Sequence, residues 1–433
     1  MKAVVVNREQ ALNGSGTQKK TLAVGGLTTA FIISYISILF SGISSMLMSV
    51  YLPDVIKNLL GNVSETKMHN VSAYINSIFI FGSMFGGFAW GIICDRIGRS
   101  KAVVFSTALY SFFTILTAFS SSWMFVGIFR FITGFGIGGV ILTTNILIAE
   151  IWPEKKRAIA LGIVSAAMPV GFIIAGAMNN LLPGWHDAFL TGIIPLATAI
   201  IALFILPESL SWKENKKAET QTAHPANNLF NTAYKKNLLI GSIIFGAMLI
   251  GLWAVFSWAP TWVQSITPDN NKANQLRGTI MMVLAFSGLL GSMVSGWIVN
   301  LTGMRKTMIM CFAACFIMTF VVFRLNTSVS SATLIEAGIL AFFFGISQGA
   351  LSVYIPSLFP TSVRASATGF CFNIGRLFTA TVVFFIGALV SFLGGYGNAI
   401  FIFSFIFLIG LITTFFSKDA SKTNRSGIES ISR

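Results

Sequence analysis

Twelve apolar runs follow one another along this chain, at 27–51, 70–94, 102–120, 123–149, 158–181 and 188–206, then at 238–260, 278–300, 307–323, 332–356, 365–393 and 397–416. Each is near the roughly 20 residues a helix needs to cross the hydrocarbon core of a bilayer. The composition leaves no other solvent. Only 10% of the residues are charged and 55% are hydrophobic, whereas a soluble domain carries about 25% charged residues. An aqueous surface cannot be made from this chain, so its surface faces lipid.

The formal charge is +15, from 29 Lys and Arg against 14 Asp and Glu. In a soluble protein that balance suggests nucleic acid, but its distribution here says otherwise. With the N-terminus inside, 22 of the 29 basic residues fall on the cytoplasmic side, and five fall outside: Lys57, Lys67, Lys272, Arg277 and Arg324. Positive residues collect on the cytoplasmic side of a membrane. The excess is therefore an orientation signal that predicts both termini inside, and no nucleic-acid partner is expected. Membrane lipid and a small solute are the expected partners, and the chain is expected to be a monomer.

The chain divides into a cytoplasmic tail (1–26), a six-helix bundle (27–206), a polar cytoplasmic linker (207–237), a second six-helix bundle (238–416) and a tail (417–433). The first 26 residues are too polar for a signal peptide. The four cysteines, Cys94, Cys311, Cys315 and Cys371, fall in or beside spans and read as reduced and structural. Cys311 and Cys315 are one turn apart but no His or carboxylate joins them, so neither a metal nor another cofactor is expected. His69, His186 and His224 are predicted in loops, none beside a nucleophile, so no enzyme activity is expected.

The two bundles are copies. EIWPEKKRAIALG (Glu150 to Gly162) recurs 207 residues later as SLFPTSVRASATG (Ser357 to Gly369), and GIICDRIGRSK (Gly91 to Lys101) recurs at an offset of 205 as GWIVNLTGMRK (Gly296 to Lys306). Duplicated helical halves with a site between them are a common plan for secondary transporters.

GIICDRIGRSK resembles the loop motif of the major facilitator superfamily, which runs Gly, three residues, Asp, Arg or Lys, one residue, Gly, Arg. RFITGFGIGG (Arg130 to Gly139) is similar to that family's fourth-helix arginine and glycine motif. GWHDAF and LPESLSW (Leu206 to Trp212) resemble elements of its sugar and metabolite porters, with His186 in place of an Arg and Leu210–Ser211 in place of Pro-Arg. The resemblance covers 27–416. It implies an all-α membrane fold, with two pseudo-symmetric six-helix bundles rocking about a central cavity. It also implies that Asp95, Arg96, Gly98 and Arg99 form a cytoplasmic latch, weaker in the second half where Asn300 replaces Asp95. Arg130, Arg157, Arg305 and Arg364 join the expected gating set, with Glu150–Arg157 and Glu208 expected as ion pairs.

Two charges are predicted well inside the apolar spans, Arg130 and Arg376. A charge at the bilayer centre costs at least about 2.5–3.5 kcal/mol and marks function by default. Arg130 matches the family's structural arginine. Arg376 lies eleven residues past Ala365, roughly 17 Å into a core about 30 Å thick. Its repeat counterpart is Pro169, so the charge belongs to one half alone. A planar guanidinium there suits a carboxylate, and Asn373, three residues earlier, shares its face. Tyr35, Asn145, Trp253, Phe256 and Gln348 sit at similar depth and complete the candidate site. Proton coupling is the family default, with Asp54 and Glu150 as the candidate carriers, although neither lies at the midplane.

These readings converge on alternating-access transport of a small organic anion, a carboxylate that can be aromatic, across a bacterial-type inner membrane. A sugar or polyol porter is the alternative carried by LPESLSW. A multidrug exporter and a membrane sensor that binds without transporting stand behind it.

Overall fold

A computed structural model describes residues 24–61, 63–182, 184–210, 212–213, 232–359 and 363–417. Among them, twelve helices are long and apolar enough to cross a membrane. The first half holds α1 (Val24–Leu60), α2 (Glu65–Ile97), α3 (Arg99–Ala118), α4 (Trp123–Ile151), α5 (Glu154–Leu181) and α6 (Trp185–Ile205). The second holds α7 (Thr232–Ile266), α8 (Asn270–Thr302), α9 (Met304–Leu325), α10 (Ser331–Ser357), α11 (Arg364–Phe384) and α12 (Tyr396–Phe416). α6 is interrupted by a turn at Thr191–Gly192, α9 ends in a π-wound turn (Val321–Leu325), and a short helix, Ile386–Leu393, follows α11.

Several helices outrun their apolar runs. Pro53, where hydropathy ends the first span, lies inside α1. His69 lies in α2 and His186 in the first segment of α6, not in loops; His224 lies outside the described residues. The physical reason is that hydropathy stops where lipid stops, whereas a helix stops where its backbone bonds stop. Asp269 shows this at α8. Its carboxylate accepts from the backbone N–H groups of Asn271 (2.8 Å) and Lys272 (3.2 Å), a side-chain cap that starts the helix at Asn270. Arg277, expected in an external loop, is thereby wound into α8 and is 1% exposed.

Within each half, one helix pair packs backbone to backbone. A Cβ at Gly82 or Gly86 of α2, or at Gly134 or Gly138 of α4, would overlap a carbonyl of the facing helix, and Gly291 and Gly345 play the same part between α8 and α10. Small residues are what permit such approach where lipid offers no hydrophobic drive. Arg130 fastens α4 to α1. Its Nη1 donates to the Ser44 carbonyl at 2.7 Å and its Nη2 to that of Ser45 at 3.3 Å, with the guanidinium 4.0 Å over the Phe79 ring.

The face carrying Val24 and Ser417 is the terminal face, and the opposite one the far face. The bonds joining the halves gather toward the far face. Asp54 of α1 pairs with Arg277 of α8 at 2.6 Å, and Asn179 of α5 donates to the Asn274 carbonyl. His69 Nδ1 lies 3.1 Å from Ser391 Oγ, with its ring edge-on to Tyr396. Nearer the terminal face, Gly162 of α5 and Gly369 of α11 border open space, and Ile159 is 64% exposed. The side-chain bonds named between the halves thus lie toward the far face.

Candidate functional site

Arg376 stands where the halves begin to meet. Its Nη1 donates to Asn373 Oδ1 at 3.3 Å, one turn earlier on α11, and Asn373 donates in turn to the Gly369 carbonyl at 3.0 Å. Across the seam, α2 comes so close that a Cβ at Gly87 would lie 2.8 Å from Asn373 Oδ1 and 3.0 Å from Arg376 Nη1. No salt bridge joins Arg376 to an acid among the described residues. The guanidinium therefore keeps most of its five donors for something else.

On the far side of this point the seam is closed by aromatic and small polar contacts. Ser77 Oγ donates to the Ala380 carbonyl at 2.6 Å. Tyr74 stacks on Phe384 with ring centroids 4.6 Å apart, and Trp253 of α7 tilts against Phe79 at 6.1 Å. Phe256 is buried against Phe172 of α5, with centroids 6.0 Å apart. Tyr35 is half-buried beside Phe31 and borders the same cluster as Trp253 and Ala380.

The structure thus brings Arg376 and Asn373 into one bonded pair and sets Trp253 and Phe256 in the aromatic seam on its far side, whereas Tyr35 stacks on Phe31 of its own helix. Gln348 and Asn145 are half-buried. Neither hydrogen-bonds Arg376 among the described residues, and the Gln348 amide nitrogen has no partner there. Gly87 and Phe79 escaped the sequence reading. The glycine could have been found only through its register against α11, which requires the pairing of α2 with α11.

The gating residues form a compact hub at the terminal face of the first half. Arg99 Nε donates to Glu150 Oε1 at 3.0 Å, and its Nη1 donates to Asp95 Oδ1 at 2.9 Å and to the Cys94 carbonyl at 3.2 Å. Glu150 also accepts from Ser209 Oγ. Glu150 therefore pairs with Arg99 and not, as expected, with Arg157, whose Nε reaches back to the Trp152 carbonyl at 3.4 Å. Arg157 begins a new helix, and its side chain folds onto the chain reversal that precedes it.

Glu208, also expected in an ion pair, caps α3 instead. Its Oε1 accepts from the backbone N–H groups of Arg99 (2.9 Å), Ser100 (3.1 Å) and Ser209 (2.9 Å). The unpaired N–H groups and positive dipole end of a helix favour a carboxylate there. Gly98, at φ 106°, makes the turn, and a Cβ on it would overlap Glu208 Oε2. Trp212 Nε1 closes the hub on the Asp95 carbonyl at 2.8 Å. The described residues of the LPESLSW run thus have a structural job at the start of α3. Arg96 is exposed at the end of α2. Arg305 is in the other half, with its Nε on the Thr414 carbonyl at 3.2 Å, and the side chain of Arg364 lies outside the described residues.

Both proton-carrier candidates are ion-paired. Glu150 is held in the hub and Asp54 in the far-face pair with Arg277.

Twelve spans in two six-helix halves, meeting along a seam that holds the Arg376 guanidinium, define a solute transporter of the paired-bundle type, a multi-pass membrane protein. The sequence model described as Major Facilitator Superfamily matches residues 34–380, and the chain belongs to that family. It is 28% identical over 417 residues to the cis,cis-muconate transport protein of Acinetobacter baylyi (strain ATCC 33305 / BD413 / ADP1), covering 94% of this chain and 98% of the relative. It is 23% identical over 396 residues to the gallate transporter of Pseudomonas putida, covering 84% and 85% of the two chains. In fold it is similar to the crystal structure of a D-xylose-proton symporter, with a TM-score of 0.77, 16% identity, and coverage of 91% of this chain and 98% of that one.

Proposed function

We propose that this protein moves a small organic anion, a carboxylate of the aromatic or unsaturated kind, across a bacterial-type inner membrane by alternating access. It acts as a monomer with both termini cytoplasmic, and it catalyses no covalent chemistry. The observation that carries the reading is Arg376, a cation inside a membrane span with an amide and, among the described residues, no acid for a partner. It stands where α11 meets α2 of the other half, its Nη1 3.0 Å from a Cβ placed on Gly87. A guanidinium so placed binds a carboxylate through two parallel bonds, and the aromatic residues above it, Trp253 and Phe256, can pack on a ring or a conjugated chain. The names of the relatives, muconate and gallate transporters, support the same substrate class.

The seam supports alternating access. The far face is closed by side-chain pairs between the two halves. Opening it while the terminal face closes exposes Arg376 to the other side. Proton coupling would run through Asp54 or Glu150, whose ion pairs with Arg277 and Arg99 would then have to break during the cycle.

The test is uptake of radiolabelled cis,cis-muconate and gallate by cells producing the protein. Arg376→Ala is expected to reduce uptake to background while membrane insertion and elution of the purified protein are unchanged. Arg376→Lys, which keeps the charge and loses the fork, retains part of it. Unimpaired uptake by Arg376→Ala would overturn the assignment.

A further inference from the structure

Arg277 is the second cation that the fold buries at the seam, and it differs from Arg376 in having an acid beside it. Its side chain is 1% exposed, and that of Asp54 is 39% exposed toward the far face. Asp54 uses only one of the guanidinium's arms: Nη2 donates to Asp54 Oδ2 at 2.6 Å and to Asn274 Oδ1, while Nε and Nη1 have no partner among the described residues. Asn179, 3% exposed, stands against the Asn274 carbonyl, and its own Oδ1 is also unpartnered. Gly176 and Gly278 press α5 and α8 together beside it, backbone against backbone.

We propose that Arg277 is a second carboxylate site, a receiving position for the transported anion when the far face is open, and that Asp54 is its tethered competitor. Asp54 belongs to the first half and Arg277 to the second, so parting the far face separates them. The guanidinium then lines the open mouth with four of its five donors available, the fifth staying on Asn274 of its own helix. An arriving carboxylate can take two of them in the fork geometry that Asp54 does not use. Once the anion moves on to Arg376, also on the second half, Asp54 returns and the far face seals. The side chain that locks the seam thus occupies the substrate's place until the substrate arrives. This inference rests on the anion reading above.

The competition separates this role from that of a simple lock. If the pair only holds the seam closed, Asp54→Asn and Arg277→Gln do the same thing and shift uptake in the same direction. If Arg277 receives the anion, they act oppositely. In intact cells given radiolabelled cis,cis-muconate at a range of concentrations, Asp54→Asn is expected to lower the half-saturating concentration about fivefold, the low end of coupling free energies between sites, whatever the loss of a candidate proton carrier does to the maximal rate. Arg277→Gln is expected to raise it by about tenfold or more with the maximal rate preserved, because uniform binding is what is lost. The double variant should follow Arg277→Gln. If Arg277→Gln fails to fold, Arg277→Lys serves in its place, keeping the charge and losing the fork.

Shifts in the same direction, or none, overturn the proposal. Arg376→Ala in the same cells tests the central site separately. Uptake surviving that change while Asp54→Asn and Arg277→Gln still oppose each other would sink the central assignment and leave this one standing. A parent chain that takes up neither muconate nor gallate overturns both.

Discussion

The two halves descend from one repeat, yet their terminal-face ends are held by different physics. In the first half, Asp95, Arg99, Glu150 and Glu208 tie the ends of α2, α3, α4 and α6 into one charged hub. By the repeat offsets, their counterparts are Asn300, Met304, Ser357 and Phe415, and none of these four carries a charge. There, Arg305 turns onto the last carbonyls of α12, at Thr414 and Phe415, where the negative end of the helix dipole favours it. Tyr354 shares a hydrogen bond with Ser417 at 2.6 Å. One half is braced by side-chain acids that a neighbouring half could compete for, the other by backbone acceptors that it could not. The difference teaches that one duplicated turn can be held by ion pairs and its copy by backbone acceptors.

The largest effect should come from breaking the hub at its centre. Arg99→Gln leaves Glu150, whose side chain is 24% exposed, without its ion partner. A buried pair broken on one side costs about 3–5 kcal/mol, and the partial exposure of Glu150 brings the expected loss to the bottom of that range. Met304→Gln, the equivalent change in the other half, removes no charge and should cost less than about 1 kcal/mol. Thermal unfolding of the two purified variants in detergent compares them directly. Equal losses would mean the hub is solvated surface and braces nothing.

The turns give the next largest contrast. Gly98 and Gly303 occupy the same repeat position with φ values of 106° and 85°, so alanine strains both backbones by about 1–2 kcal/mol. Only at Gly98 would the new Cβ also meet the Glu208 carboxylate, whereas Gly303 faces open space. Gly98→Ala should therefore lower the thermal midpoint further than Gly303→Ala. Combining Gly98→Ala with Glu208→Ala should remove most of the difference, since neighbouring sites that share a contact are not additive.

These contrasts also mark what the sequence could reveal. The twelve spans were legible because a run of apolar residues long enough to cross lipid has few other readings. Arg376 was legible because the repeat set it against Pro169, making the charge an exception to a known scaffold. Arg277 was not. It begins eight residues into a helix whose start depends on the Asp269 cap, and its partner Asp54 lies 223 residues away, a separation at which no local pattern carries information. Glu208 was misread for a related reason. A carboxylate in a basic loop suggests an ion pair, and only the placement of the α3 N-terminus beside it shows that backbone N–H groups are its partners. Local chemistry picked out the charged residues and, for Glu150 and Glu208, named the wrong partner.

The smallest and most discriminating test concerns that cap. Glu208 does two things at once: its Oε1 accepts three backbone hydrogen bonds, and its charge opposes the dipole of α3. Glu208→Gln keeps a carbonyl oxygen in place and removes the charge. The expected loss is about 0.3–1 kcal/mol, the value of a charge at a helix end. Glu208→Ala removes both and should cost about 1–2 kcal/mol, as lost caps do. In the second half α9 starts at Met304 with no side-chain cap, so Phe415→Ala should change only apolar packing and the ring face 5.6 Å from the Arg305 guanidinium. If Glu208→Gln and Glu208→Ala lower the thermal midpoint equally, charge is the whole contribution and the cap works as an electrostatic brace. If Glu208→Gln matches the parent chain, the three hydrogen bonds carry it, and raising the salt concentration should leave the parent's midpoint unchanged, because screening acts on charge and not on those bonds.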